Sequence, residues 1–440
     1  MPLVRGLRAL RYNDNKINDF SNVITPPYDI ITPEIREDLA KRSEYNFVHI
    51  DLPVENSHKT KYEKANELFQ EWQNKNILIR EVEVSAYWLR QRFTDIRGIQ
   101  MERLTLLALT KIPEEQEGNS QILPHERTFN KPVEDRMALL SATNAQLSPI
   151  FFIFSDKEKA LQQFFIKYVK DAGKYPDISV VTIDGVLNEL WQTKWNDELT
   201  DLFENKTLYI ADGHHRFQTA KKILEEKKNN LSVNKENEIE PYRYVLTGFV
   251  AFEDPGLIIY APHRVINNVP DINYEQFFKY LNEYFKITQV ENNPVEYIMQ
   301  KQKECENNNR KYFHCFGLVV KNRGRFLIEL NDKGYKRVTE EKGTHALHDV
   351  NVYILHKLIF EEIMKLEPNT QLLYETNPFR CIEMVEKEKA EMTFLINPIC
   401  PEVIKKCADN GEFMPQKATY FFPKIPSGLV IYELTRESLQ

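Results

Sequence analysis

The sequence predicts a mixed α+β fold in two domains, and three observations carry that expectation. Short apolar, β-prone runs such as Ile150-Phe151-Phe152-Ile153-Phe154 are interspersed with segments whose apolar residues recur at helical spacing. The 440 residues exceed one ordinary domain of about 100 to 200 residues. The pattern also changes near residue 266, so the expected division is 1–265, carrying the polar motifs, and 266–440, a smaller α+β domain with a docked tail at 414–430.

Taken in order, residues 23–31 hold Pro26-Pro27-Tyr28-Asp29, where two prolines stiffen an extended segment and fix Tyr28 and Asp29 as candidate substrate contacts. Thr32-Pro33-Glu34 has the cap, first-turn proline and acid of a helix start. Alternation over 46–52 reads as a strand, and 62–73 as a charged helix. The runs 84–93 and 103–110 read as antiparallel strands about a turn near Asp95 to Gly98. A charged loop and helix start follow at 123–136, then a fully buried strand at 148–154, a helix at 157–170, a strand at 178–183 and a helical stretch at 187–195. After the motif at 207–220, the polar run 227–240 reads as an exposed, mobile loop. The runs 242–252 and 257–261 read as a hairpin across Asp254-Pro255-Gly256. Further helices are expected at 274–284, 295–304, 350–366, 377–386 and 401–408, with strands at 312–320, 325–330 and 392–396.

The densest chemistry is Asp212-Gly213-His214-His215-Arg216, between the β-prone Thr207-Leu208-Tyr209-Ile210-Ala211 and a helical pattern of Phe217, Ala220, Ile223 and Leu224. Strand, tight turn and helix are the reading. Asp212 is placed to cap the helix, Gly213 to let backbone approach a ligand, and the first-turn amides to face an anion. With only 14 glycines in the chain, one inside such a motif fills a backbone need.

A second motif, His125-Glu126-Arg127, is bracketed by apolar runs, and Glu126 is the candidate general base, with His125 or Asp135 in reserve. His263-Arg264 repeats the His-Arg pairing at an expected strand end, which makes Arg264 a candidate for a shared anion pocket. The aromatic, proline-stiffened 414–430 segment adds Lys417, Lys424 and Ser427-Gly428 as phosphate candidates.

Composition narrows the classes. A net charge of -7 argues against general nucleic-acid binding, which needs a basic surface. No apolar run approaches the roughly 18 residues of a membrane span, and the start lacks an apolar signal core, so a cytoplasmic location is expected. Five cysteines without a Cys-x-x-Cys pair read as reduced thiols. Neither Gly-x-x-x-x-Gly-Lys nor Gly-x-Gly-x-x-Gly occurs.

Taken together, Pro26-Pro27-Tyr28-Asp29, Asn46-Phe47-Val48, His125-Glu126-Arg127-Thr128 with Glu134-Asp135-Arg136, Ala211-Asp212-Gly213-His214-His215-Arg216 and Met414-Pro415 to Gly428 resemble the large family known as domain of unknown function 1015. Two departures are visible: Ala261-Pro262-His263-Arg264 stands where a Pro-Thr-His-Arg run is expected, and His49 where Arg is frequent. The Asp-Gly-His-His-Arg turn is similar to the Asp-Gly-His-Thr-Arg turn of free serine kinases, whose fold is shared with partition proteins and sulfiredoxin. That resemblance implies a ParB/sulfiredoxin-like core elaborated with extra strands and helices. It also implies a nucleotide, ATP or ADP, as phosphoryl donor with Mg2+, and a small hydroxylated acceptor such as free L-serine.

The expected function is therefore a small-molecule kinase. Gly213, His214, His215, Arg216, Arg264, Lys417, Lys424 and Ser427 would hold phosphate, Glu126 or His125 would handle the proton, and Asp212 would cap the helix or carry Mg2+. Two alternatives stand beside it: a nucleotide-binding, ParB-like switch without turnover, and a metal-dependent hydrolase using His125, Glu126, Asp212, His214 and His215 as ligands.

Overall fold

The computed structural model describes residues 3–55, 58–113, 121–230, 236–267, 272–307, 314–340, 345–367, 370 and 372–440. The chain folds as two compact units. The first comprises 1–124, 128–258 and 423–440, and the second 125–127 and 259–422. The sequence places the division at 265/266; the units part at 258/259, and the 414–430 segment is shared out between them, with 423–430 in the first.

The first unit is built on a mixed sheet, nine-stranded among the described residues. Its order is Ile122–Leu123, Leu208–Asp212, Ile150–Phe154, Tyr244–Ala251, Gln100–Lys111, Ser85–Thr94, Leu187–Lys194 and Ile178–Val181, with Val4–Arg5 also pairing with Gln100–Lys111. Ile150–Phe154 is buried at all five positions because neighbours flank it on both sides and layers cover both faces. Beneath the sheet, Phe154, Phe203 and Phe249 pack with ring centroids 4.9 and 4.4 Å apart. Helix His214–Asn230 packs against Asn130–Thr143, which in turn meets Lys61–Asn74. The 423–440 segment is stitched into this unit by bridges Thr25 to Ser427 and Leu10 to Ile431 and by Tyr432–Glu433 pairing with Ala145–Gln146. Gly248 makes that seat possible, because a Cβ there would lie 2.5 Å from the Ile425 side chain.

The second unit has an antiparallel sheet in the order Phe285–Val290, Gly324–Leu330, Cys315–Val320, Met392–Ile396, His263–Ile266 and Leu373–Glu375. Helices Tyr274–Tyr284, Pro294–Asn307 and Pro378–Glu386 accompany it. The mixed α+β class is therefore as expected. No described helix is long and apolar enough to cross a membrane.

Four expectations are corrected. Residues 46–52 form no strand but the helical turn Val48–Asp51, because the Asn46 side chain accepts from Val48 N and donates to Asn22 O, closing the backbone locally. The expected helical stretch at 187–195 is strand Leu187–Lys194, held by its full ladder to Ser85–Arg92 and by the Trp88 indole donating to Thr193. The 242–252 and 257–261 runs make no hairpin. Tyr244–Ala251 lies between Ile150–Phe154 and Gln100–Lys111, while Asp254 accepts from Leu104 N and Gly256 N. The run 227–240 is largely helical, to Asn230 and again at Glu236–Ile239; 231–235 lie outside the described residues, as do 312–313 of another expected strand.

Candidate functional site

The motif at 207–220 folds as strand, turn and helix. Leu208–Asp212 pairs with Ile150–Phe154, and the register slips between Ile210 and Asp212. This bulge inserts Ala211 and re-aims Asp212 at the strand end. Gly213 follows at φ +90°, a left-handed backbone that a side chain resists, and its hydrogen faces the Arg216 guanidinium, which a Cβ would approach to 3.1 Å. Gly213→Ala is thus expected to cost about 1–2 kcal/mol in backbone strain alone. A thermal-denaturation midpoint unchanged from wild type would contradict that reading.

The Asp212 carboxylate sits between two cations. One carboxylate oxygen accepts from Lys424 Nζ at 2.6 Å and the other from Arg216 at 2.8 Å, with all three side chains largely buried. Burial would raise the Asp212 carboxyl, but Lys424 and Arg216, with His214 beside them, outweigh it and hold the group well below the usual carboxylate range. As a Mg2+ ligand Asp212 fits poorly: each oxygen already accepts from a cation, so a dication there would have to displace Lys424 or Arg216. Among the described residues no group of three or more His, Cys, Asp and Glu side chains is gathered as a metal site.

Arg216 also donates to Pro149 O, which ties the helix start to the loop before Ile150–Phe154. His215 Nε2 accepts from Phe129 N at 3.2 Å, and its ring stacks on Phe129. His214 is buried. Ser427 is fully buried, with its hydroxyl 2.6 Å from that of Ser148. Tyr28 lies in a short 3-10 turn, Tyr28–Ile30, with the Arg136 guanidinium 4.2 Å from its ring centre. Burial pushes its hydroxyl up to about 12 against the pull of Arg216. Asp29, next to it, is exposed.

The remaining candidates belong to the second unit. His125 is buried, with Nε2 3.4 Å from the Thr419 hydroxyl. Glu126 is half-buried and accepts from Lys417 N at 3.4 Å, while Lys417 itself is exposed at φ +55°. Arg264 is not at a strand end but inside strand His263–Ile266 and fully buried. Its guanidinium donates to the carbonyls of Pro262, Gln416 and Lys417 and covers the Tyr374 ring. It fastens the 416–417 turn, and burial pushes it down to about 10.

Sequence reasoning gave no role to three residues beside the turn. Arg136, from helix Asn130–Thr143, donates to Asp51 Oδ1 at 3.1 Å and also to Asp135, and Ser148 completes the group. The signal available was the charge density of Glu134-Asp135-Arg136; nothing local to Asp51 marked it.

A family model described as Protein of unknown function (DUF1015) matches residues 4–353. Comparison with curated proteins returns no match. Similar solved structures include a free serine kinase in complex with AMP, 13% identical over 68% of this chain and 83% of that chain, at a TM-score of 0.35. A conserved hypothetical protein from Pyrococcus furiosus is 14% identical over 70% and 90%, at 0.32. SbnI with C-terminal truncation from Staphylococcus aureus is 10% identical over 75% and 90%, at 0.36. Likeness at this level assigns no residue a role.

Proposed function

Because the chain belongs to the DUF1015 family, whose name brings no activity with it, we propose a function from the site: transfer of a phosphoryl group from a nucleotide, ATP or ADP, to the hydroxyl of a small molecule, with free L-serine as the candidate acceptor. The observation that carries this reading is the Asp212 clamp. A buried carboxylate held between Lys424 and Arg216, directly before a glycine turn and a helix of 17 residues, fixes two cations and a row of first-turn amides around one strand end.

Such an arrangement suits phosphoryl transfer, which asks the protein for positioning and positive charge around the transferred group. Asp212 cancels only one of its two cations, and the helix start adds partial positive charge, so the turn as a whole attracts an anion. Arg216 can turn N–H groups toward phosphate oxygens while one remains on Asp212. Mg2+ would enter on the nucleotide phosphates.

The test is incubation of the purified protein with ATP or ADP, Mg2+ and a panel of hydroxy compounds, with the phosphorylated product, O-phosphoserine first, read by mass spectrometry. Product is expected. Absence of any nucleotide-dependent product across the panel overturns the kinase reading. Tight nucleotide binding with no product would instead identify a switch without turnover.

A further inference from the structure

Across three strands of the first unit's sheet, three polar side chains lie in one row. Asn188, Gln91 and Arg103 stand directly opposite one another on Leu187–Lys194, Ser85–Thr94 and Gln100–Lys111, and each is at most 1% exposed. Apolar residues would fill such a row at lower cost, because a buried guanidinium forfeits its hydration, and the Arg103 Nε and Nη1 have no hydrogen-bond partner among the described residues. The Arg103 guanidinium lies 4.8 Å from the centre of the Phe151 ring, and Phe151 is the register partner of Asp212. The bonds of the row run in one direction. Asn188 Nδ2 donates to Val186 O and Thr182 Oγ1, both at 3.0 Å, which turns its oxygen toward Gln91 Nε2 at 2.8 Å. Arg103 Nη2 donates to Gln91 Oε1. Both ends of the Gln91 amide are thereby assigned, and its second N–H donates outside the row, to Lys424 O at 2.9 Å.

We propose that Gln91 is a positioning residue for the clamp: oriented by Asn188 and Arg103, it fixes the Lys424 backbone so that Nζ meets Asp212. A row that served only the sheet would close on itself. This one directs its remaining donor to the residue whose side chain reaches Asp212 Oδ1 at 2.6 Å. A lysine stem is flexible, so its ammonium is held in one place only when its backbone is held first. The neighbouring anchors act elsewhere: Thr25 bridges to Ser427, three residues on, and Ile425 is seated by apolar contact over Gly248. What the clamp binds rests on the phosphotransferase reading; the placement of Lys424 by Gln91 does not.

Gln91→Met, similar in length and equally uncharged, tests this in the full chain. In nitrogen-edited NMR spectra the wild-type Lys424 ammonium should give a slowly exchanging signal, as a buried group bonded to a carboxylate, and Gln91→Met should lose it. Leu89→Ala, which opens a cavity in the same strand, should lower stability and keep the signal, which separates placement of the lysine from loss of stability. A signal that persists in Gln91→Met, or that Leu89→Ala removes equally, overturns the proposal. Should Gln91→Met not fold, the wild-type Gln91 side-chain amide decides: both of its protons should be protected from exchange, and rapid exchange of either overturns the assignment. ADP with Mg2+, titrated by calorimetry, should bind Gln91→Met about 10-fold more weakly than wild type. The two readings fail separately. Wild-type protein that binds no ADP, or an ADP affinity unaltered by loss of the ammonium signal, would count against the phosphate reading and leave the row in place; ADP binding with the signal unchanged in Gln91→Met would do the opposite.

Discussion

Between pH 6.5 and 3 the second unit is expected to lose on the order of 5 kcal/mol of stability for each of two buried imidazoles, His263 and His356. Burial, reinforced by the Arg264 guanidinium, pushes both down to about 3. The native rings therefore stay neutral while the unfolded chain takes up protons from about pH 6.5 downward. Stability is full above that value and is lost as the pH falls toward the native one. Each ring also has a structural task that requires the neutral form: His263 Nδ1 accepts from Ile396 N at 3.0 Å, and His356 Nε2 faces Arg264 Nε at 3.3 Å. Hydrogen exchange of the Met392–Ile396 and His263–Ile266 amides, followed against pH, reads this unit by itself. The expected slope is about 1.4 kcal/mol per pH unit for each ring. His356→Gln keeps an acceptor for Arg264 and should remove one ring's share; an unchanged slope would discard the explanation.

Lys424→Met is expected to destabilise the first unit by about 3–5 kcal/mol, because it strips one counter-ion from a buried carboxylate. Lys424 and Asp212 are 8% and 16% exposed at their side chains, so water offers little compensation. Asp212→Asn should cost a similar amount, and the double variant should cost clearly less than the sum, since each single change already breaks the same pair. Urea titration of the four proteins supplies the cycle; additive losses would show that the two groups are energetically independent. The sign with pH follows from the depressed carboxyl. The stabilisation from Asp212 is fully present above the unfolded carboxylate range near pH 4 and is lost as pH falls through the lower native value. Asp135, held down to about 2 with Lys61 and Arg136 as partners, gives the same acid limb from the neighbouring helix.

What could be read beforehand was whatever the chain decides locally. Thr32 accepts from Ile35 N as the predicted cap, helix Tyr274–Tyr284 runs over its expected length, and Ile150–Phe154 is the buried strand its unbroken apolar run implies. The Asp212 motif likewise has the strand, glycine turn and helix that its pattern dictates. The misreadings share a cause, which is that distant partners decided the outcome. Leu187–Lys194 carries no clean alternation and becomes a strand because Ser85–Arg92 offers a ladder. Asp51 looked like the end of a strand and became the counter-ion of Arg136, 85 residues on. Nor could the sequence tell what else the two candidate phosphate cations, Lys424 and Arg264, would hold. One holds Asp212 and the other holds the 416–417 turn, assignments that no local window contains.

The clamp also has a consequence for biosynthesis. Lys424 lies 212 residues after Asp212, so at about 5–20 residues per second the turn is made roughly 10 to 40 s before its second cation exists. During that interval the strand, bulge and glycine turn are already encoded in the emerging chain, but Asp212 has only Arg216, four positions away, to neutralise it. The seat for Ile425 above Gly248 is likewise vacant until the chain has grown past Lys424. A nascent first unit is therefore electrostatically unfinished at Asp212 until Lys424 is made.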